Sequence, residues 1–537
     1  MGASGAGKTR SFVTTNLLAC NGSYIVSDPK ANLYSKYHKA LESEGYKTYL
    51  IDFINPTRGE GYNFFQGIHT EDDCLRIADT IVKIHSNKGC IDSAFWDNCE
   101  LFTLSGIISL IKELQKIMDF VPNDISEYLD QELRTGFSYA DLAVKRFLCQ
   151  REIRYPRTIG GMTNMLDDMS KEYSSIDAST RQDCIEHYMK DFLSTLESAT
   201  TGCRELRSMQ YAFRTAREQH YPDLAAVMRS INEIIGSGIQ IRKSYQNVQS
   251  REEIDAFLNR TVNNAVNLLR NIERHDMFTH FALLRALRPN SFGARQLDRV
   301  MNLIADKTAA NIIMTALSAV SRYDSSAINS MMERAEQNAF DFTCVGREKT
   351  AVFVCVSDTD RKMDGFANIF FSQCLQEVCT YADTSCENCS LPVPITFIFD
   401  DFATNVQINE FPRMISSFRS RNIGCMLLIQ AESQLEQYYG HDAKTIIANC
   451  DTYIYLGGSD LSTARQLSER TDRPVQDILY MPVGSNIIFR RGELPKYGKN
   501  IDHDRFLEWI GFVKEGEDKA KSTVLLHADK CNTREMF

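Results

Sequence analysis

The chain opens on Gly2-Ala3-Ser4-Gly5-Ala6-Gly7-Lys8-Thr9, a G-x-x-x-x-G-K-[ST] loop, and no other stretch limits its fold so tightly. Such a loop wraps phosphates with successive backbone N–H groups; its lysine reaches the terminal phosphates and its hydroxyl residue binds Mg²⁺. Gly2, Gly5 and Gly7 let the backbone approach an anion and take left-handed dihedrals. Lys8 to Ala19 reads as a helix, so its positive end also points at the phosphates. A phosphate loop normally leaves the end of a buried strand, and here only Met1 precedes the first glycine.

At 537 residues the chain exceeds what one core usually serves, so at least two domains are expected. A formal charge of −10 argues against coating nucleic acid by overall attraction, while local basic surfaces stay open. The 16 cysteines sit mostly in apolar or helical stretches, which fits a reducing cytosol better than a disulfide framework. Cys386 and Cys389 have ligand-like spacing, but no second Cys or His pair stands near them, and they read as loop cysteines. No run approaches the ~18 apolar residues of a membrane helix.

In order, a strand at Ser23–Ser27, a helix from Asn32 closed by Gly45 and a strand at Lys47–Phe53 give the βαβ rhythm of a parallel sheet. From about Asp119 to Gln337 helical spacing takes over; Ile254, Leu258, Thr261, Ala265, Leu269 and Ile272 form one apolar stripe. Arg204, Arg207, Arg214 and Arg217 share one arc, a track for phosphates or, with Glu205 and Glu218 interleaved, a solvated face. Strand rhythm then returns at Thr350–Ser357 and at Ile395–Phe399, which runs into Asp400-Asp401. The expected organisation is a first nucleotide-binding segment over 1–115, an inserted helical domain over 116–340, a second segment over 341–514 and a charged tail over 515–537.

Two carboxylates at the end of a buried strand are costly unless a metal or hydrogen bonds compensate. Asp400 is the expected metal ligand beside Thr9, and Asp401 the residue that handles the attacking water. Gln430, at the end of the next apolar strand, either senses the terminal phosphate or is a cap amide. Arg419 and Arg421, after the acidic pair, either act as fingers in a neighbouring subunit or complement a helix dipole.

Asp28-Pro29-Lys30, Asn32-Leu33-Tyr34, Gly61-Tyr62-Asn63, Phe95-Trp96, Asp400-Asp401-Phe402-Ala403, Arg419-Ser420-Arg421, Gln430 with Ser433-Gln434-Leu435-Glu436, Tyr439-Gly440, Asn449-Cys450, Asp460 with Thr463-Ala464, and Arg491-Gly492-Glu493-Leu494-Pro495 follow one another in order. Together they resemble the type IV secretion coupling proteins, the ATPases of conjugative DNA transfer, over roughly residues 1–100 and 300–500. The resemblance implies an α/β fold of RecA-like P-loop kind, with a mainly parallel sheet lacking its first strand before the loop, plus an inserted all-helical domain. It implies ATP and Mg²⁺ as cofactors, with Gly2, Ser4, Gly5, Ala6, Gly7, Lys8 and Thr9 binding the nucleotide. Thr9 and Asp400 hold the metal, and Lys8, Asp400, Asp401, Gln430, Arg421 and Arg419 are the catalytic set. Single-stranded DNA with its relaxase, components of the secretion channel and a homo-hexamer are the implied partners, at the cytoplasmic face of the plasma membrane.

Three departures stand out. The family usually has Asp-Glu where this chain has Asp400-Asp401, it usually carries N-terminal membrane helices, and the strand ahead of the loop is absent. The expectation is a late-started or 5′-truncated version of a longer, membrane-anchored protein. The competing readings are a non-hydrolysing docking protein of the same fold, an inactive remnant, and a pump for double-stranded DNA.

Overall fold

In the computed structural model the described residues are 1–3, 5–85, 93–123, 125, 137–152, 155–172, 178–201, 204–275, 278–301, 306–404, 406–408 and 410–511. The chain forms two compact units, Ile68–Ser325 and the remainder, Met1–Gly67 with the chain from Ser326 onward.

The second-named unit is built on a parallel sheet. A π-helical turn, Lys8–Val13, runs into α1 (Thr14–Leu18), followed by β1 (Ser23–Ser27), α2 (Asn32–Ser43) and β2 (Lys47–Asp52). The chain leaves for the other unit, where α3 (Glu71–His85), α4 (Ser93–Phe120), α5 (Ala140–Gln150), α6 (Ile159–Glu172), α7 (Ala178–Thr200), α8 (Arg207–Glu218), α9 (Leu224–Ser244), α10 (Val248–Glu273), α11 (His280–Leu287), α12 (Phe292–Met301) and α13 (Asp306–Ser321) lie. It returns with α14 (Ser326–Gln337), α15 (Cys344–Arg347), β3 (Thr350–Cys355), α16 (Asp364–Ser385), β4 (Ile395–Phe399), α17 (Phe411–Met414) and β5 (Ile423–Leu427). The last stretch holds α18 (Glu432–Tyr439), α19 (Asp442–Ala448), β6 (Thr452–Tyr455), α20 (Leu461–Thr471), α21 (Val475–Leu479), β7 (Ser485–Arg490), β8 (Lys496–Lys499) and α22 (His503–Ile510).

The five-stranded sheet has the order β2-β3-β1-β4-β5, and every pairing in it is parallel. β1 and β3 are buried along their whole length, as unbroken apolar strands are when helices cover both faces. One core cluster joins Val13, Leu17 and Leu18 to Leu33, Tyr37 and Leu41 of α2, Phe353 of β3, and Phe506, Leu507 and Ile510 of α22. A second, aromatic packing joins α16 to the rest: Phe370 meets Tyr62 edge-on at 5.0 Å, and Phe371 meets Phe399 at 5.1 Å. An antiparallel sheet, β6-β7-β8, follows in the same unit.

Met1 and Gly2 span between the two sheets. Met1 N donates to Ile454 O at 2.6 Å, Leu456 N to Met1 O at 2.9 Å, and Gly2 N to Ile429 O at 3.1 Å. These two residues thereby tie the phosphate loop to the chain that follows β5 and to the end of β6.

The unit boundaries correct the expected ones. They fall at 67/68 and 325/326 rather than 115/116 and 340/341. α4 buries Leu104, Ile107, Ile108, Ile111, Leu114 and Ile117, which step by three and four along it, and packs within a helical bundle against α3, α12 and α13. α14 belongs with the sheet instead. There Gly61 lies so close that an added Cβ would stand 2.4 Å from Ala335 N. Asn63 donates to Met332 O at 3.3 Å and to Glu336 Oε1 at 2.8 Å, and Gln66 to Ala335 O at 2.6 Å.

Other corrections are local. The stretch from Asn409 to Arg421, which reads in the sequence as one helix, instead holds α17 and two 3-10 turns, Ile415–Ser417 and Arg419–Arg421, which end at Asn422 in left-handed backbone. The expected strand ending in Gln430 stops at Leu427. β8 and α22 were not expected. The apolar stripe on α10 is buried as read, with Ile254, Leu258, Thr261, Ala265, Leu269 and Ile272 all inaccessible. The proposed tail over 515–537 lies outside the described residues.

A candidate nucleotide site at the carboxyl ends of the strands

The order of the sheet puts the ends of β1 and β4 side by side, next to the loop before α1. Gly5 (φ 79°) and Gly7 (φ 87°) both take left-handed backbone, as a loop folded around an anion requires. Ser4 lies outside the described residues. Lys8 is buried, and its Nζ donates to Gly2 O at 2.6 Å and Ala3 O at 3.4 Å, which folds the side chain back over the loop. Burial lowers its pKa, and the nearby Asp401 and Asp400 charges oppose that shift.

Thr9 Oγ1 donates to Asp400 Oδ2 at 2.6 Å across 391 residues of chain. Asp400 is 7% exposed, and burial raises its pKa; the Thr9 bond and Lys8 act the other way, while Asp401 adds to the rise. Asp401 sits in left-handed backbone (φ 53°), and its Oδ1 accepts from Gln430 Nε2 at 3.4 Å. Lys8, Thr9, Asp400, Asp401 and Gln430 therefore converge, although they come from the two ends of the chain.

Arg419 and Arg421 do not join them. Both lie on the 3-10 turn before β5, at the amino end of a parallel strand whose carboxyl end faces the loop. Arg421 Nη2 donates to Asp383 Oδ2 at 2.7 Å and Nη1 to Ser417 O at 3.0 Å, while Arg419 is exposed.

Sequence reasoning missed three supports of the site. Ser27 Oγ accepts from Asp400 N at 2.8 Å and donates to Asp400 O at 3.3 Å, so one hydroxyl fixes the backbone of the acidic strand end. Only the pairing of β1 with β4 makes this visible. Asn500 Nδ2 donates to Ala6 O at 3.3 Å and Arg10 pairs with Asp504 at 2.6 Å, tying the loop and its helix to the segment around α22. Asp28 of the Asp-Pro-Lys segment is a helix cap: its carboxylate accepts from the backbone N–H of Asn32, Leu33 and Tyr34.

Replacing Ser27 by alanine strands the buried N–H of Asp400. It is expected to destabilise the nucleotide-free protein by about 1–3 kcal/mol, read by denaturant unfolding; an unchanged midpoint would mean the hydroxyl holds nothing.

The pair Thr9 Oγ1 and Asp400 Oδ2 is a hard, all-oxygen donor set of the kind Mg²⁺ takes, with one carboxylate and one hydroxyl. Among the described residues no group of three or more His, Cys, Asp or Glu could hold a metal ion by itself, and that includes the Cys386–Cys389 spacing. In the helical unit, Arg214 and Arg217 both pair with Glu197 of α7, at 3.6 and 2.7 Å, as an exposed helix face does.

A parallel sheet, a glycine loop capping the first helix and an acidic strand end bonded to that loop define a RecA-like P-loop fold. Residues 1–210 match the family described as "Type IV secretory system Conjugative DNA transfer", and residues 394–471 the family described as "TraM recognition site of TraD and TraG". The two matches together cover more than half of the chain, which belongs to the type IV secretion coupling protein family.

Among solved structures, the bacterial conjugative coupling protein TrwBdeltaN70 in complex with sulphate is similar at 11% identity, covering 93% of this chain and 84% of that one, with a TM-score of 0.49. TrwB in complex with ADP and Mg²⁺ is similar at 12% identity over the same shares, with a TM-score of 0.47. TrwB with the ATP analogue ADPNP is similar at 13% identity over 93% and 84%, with a TM-score of 0.47. A comparison with curated proteins finds no match. No described helix is long and apolar enough to cross a membrane.

Proposed function

We propose that this chain is the coupling ATPase of a conjugative type IV secretion system, which binds ATP with Mg²⁺ and drives relaxase-bound single-stranded DNA towards a membrane channel. The observation that carries this reading is the 2.6 Å bond between Thr9 and Asp400, which joins the phosphate loop to the acidic strand end. Gly2, Ser4, Gly5, Ala6 and Gly7 present the loop backbone, Lys8 reaches the terminal phosphates, and Thr9 with Asp400 holds the ion. When bound, Mg²⁺ neutralises charge on the transferring phosphoryl group. Asp401, steadied by Gln430, orients the attacking water.

Arg419 and Arg421 stand on the turn before β5, at the end of that strand away from the loop, and do not serve their own site. In a homo-hexamer they would serve a neighbour's, with Arg421 first leaving Asp383. The family resemblance supports the cytoplasmic face of the plasma membrane as the place of work, and the match over 394–471 supports a TraM-like accessory protein as a partner alongside the channel components.

The test is ATP hydrolysis by the purified protein with Mg²⁺, with and without DNA. Single-stranded DNA is expected to stimulate turnover. Stimulation by duplex DNA alone would favour a double-strand pump, and relaxase recruitment without hydrolysis would favour a docking protein.

A further inference from the structure

The turn that presents Asp401 is held from outside the nucleotide site. Asp401 (φ 53°) and Ala403 (φ 67°) both adopt backbone that L side chains take only when their surroundings impose it. From within, Phe402 N donates to Leu428 O at 2.9 Å, Ala403 N to Val406 O at 3.0 Å, and Thr404 N closes the turn onto Asp401 O at 3.1 Å. From without, the turn meets Arg361, in the short connection between β3 and α16.

The Arg361 guanidinium reaches three elements at once. Nε donates to Asp364 Oδ2 at 2.8 Å, at the start of α16; Nη2 donates to Thr404 O at 2.7 Å; and Nη1 donates to the Tyr438 hydroxyl at 3.4 Å, on α18. A planar fork of donors suits this geometry as a single ammonium does not. Asp364 is 5% exposed, and its Oδ1 is buried with no hydrogen-bond partner among the described residues. An apolar core gains nothing from such a carboxylate; what Asp364 does here is fix the guanidinium.

We propose that Arg361 is a positioning residue for hydrolysis: fixed by Asp364, it clamps the carbonyl of Thr404, sets where the Asp401 carboxylate stands, and ties that setting through Tyr438 to the helix that follows Gln430. The proposal rests on the reading of Asp401 as the group that handles the attacking water. A loop staple of purely structural use would show in stability; a positioning clamp shows in turnover.

Arg361→Lys separates the two, because it keeps a cation beside Asp364 and loses the fork. The expected result is a kcat for ATP lowered about tenfold or more, with KM within about twofold of wild type and an unchanged melting temperature. In an Asp401→Asn background the same substitution is expected to change turnover no further. Amide exchange at residues 401–404 is expected to accelerate while the sheet keeps its protection.

A kcat within about twofold of wild type, or losses that multiply in the Asp401→Asn background, would overturn the clamp. A wild-type protein that hydrolyses no ATP contradicts the function proposed above rather than the clamp. Exchange at 401–404 then decides alone: acceleration in Arg361→Lys upholds it, and no change sinks it.

Discussion

Replacing Lys8 by alanine is expected to lower ATP turnover by about 10²–10³-fold, the loss typical when one preorganised donor to developing charge is removed. Lys8 is placed for that role before any ligand arrives. Its ammonium is held over the loop by Gly2 O and Ala3 O, close enough to Asp400 and Asp401 for both to favour its charged form. The bond to Gly2 O is buried and the one to Ala3 O partly so, and truncation leaves both carbonyls without the ammonium. The nucleotide-free protein is therefore expected to lose about 1–3 kcal/mol in denaturant unfolding. Hydrolysis that survives the substitution would remove the phosphate loop from the reaction altogether.

Asp400→Asn is expected to abolish Mg²⁺-dependent turnover to a similar extent, about 10²-fold or more, yet to stabilise the nucleotide-free protein. The sign follows from the direction of its pKa. Burial raises the native-state value above the unfolded one, so above the native value the protein carries the full cost of an ionised carboxylate in a dry place. That cost fades as the pH falls through the native value towards the unfolded one, and below both it is gone. Asparagine never carries it, and its amide oxygen can still accept from Thr9. Melting curves of the two proteins should thus separate at neutral pH, with the variant higher, and converge in acid. A variant that melts lower at pH 7 would show that Asp400 contributes to stability instead of drawing on it.

What could be read from the residues alone divides along a physical line. The loop around Lys8 is local: spacing of glycines along a few residues is enough to specify how its backbone meets an anion. Asp400 was legible because an apolar run ending in paired acids is unusual whatever surrounds it. Ser27 and Arg361 were not, since Ser27 acts on a strand end 373 residues away and Arg361 on a turn 43 residues away, and only the β2-β3-β1-β4-β5 order brings them to the site. The unit boundary was missed for a related reason. An amphipathic helix such as α3 has the same periodicity whether its partner is a sheet or another helix, so periodicity alone could not assign it to the bundle. Gln430 was placed on a strand because Leu428 and Ile429 continue the apolar run, but β5 stops at Leu427 and leaves the amide on the bend, where it meets Asp401.

The chain departs from the sheet unit and re-enters it at one collar, where Gly61, Asn63 and Gln66 grip α14. Closing a loop costs free energy that grows only with the logarithm of its length, and here the ends are already fastened to each other. Whatever is threaded between them can lengthen, shrink or be exchanged without disturbing a single strand register. Such a chassis lets the inserted helices change while the sheet beneath them stays put.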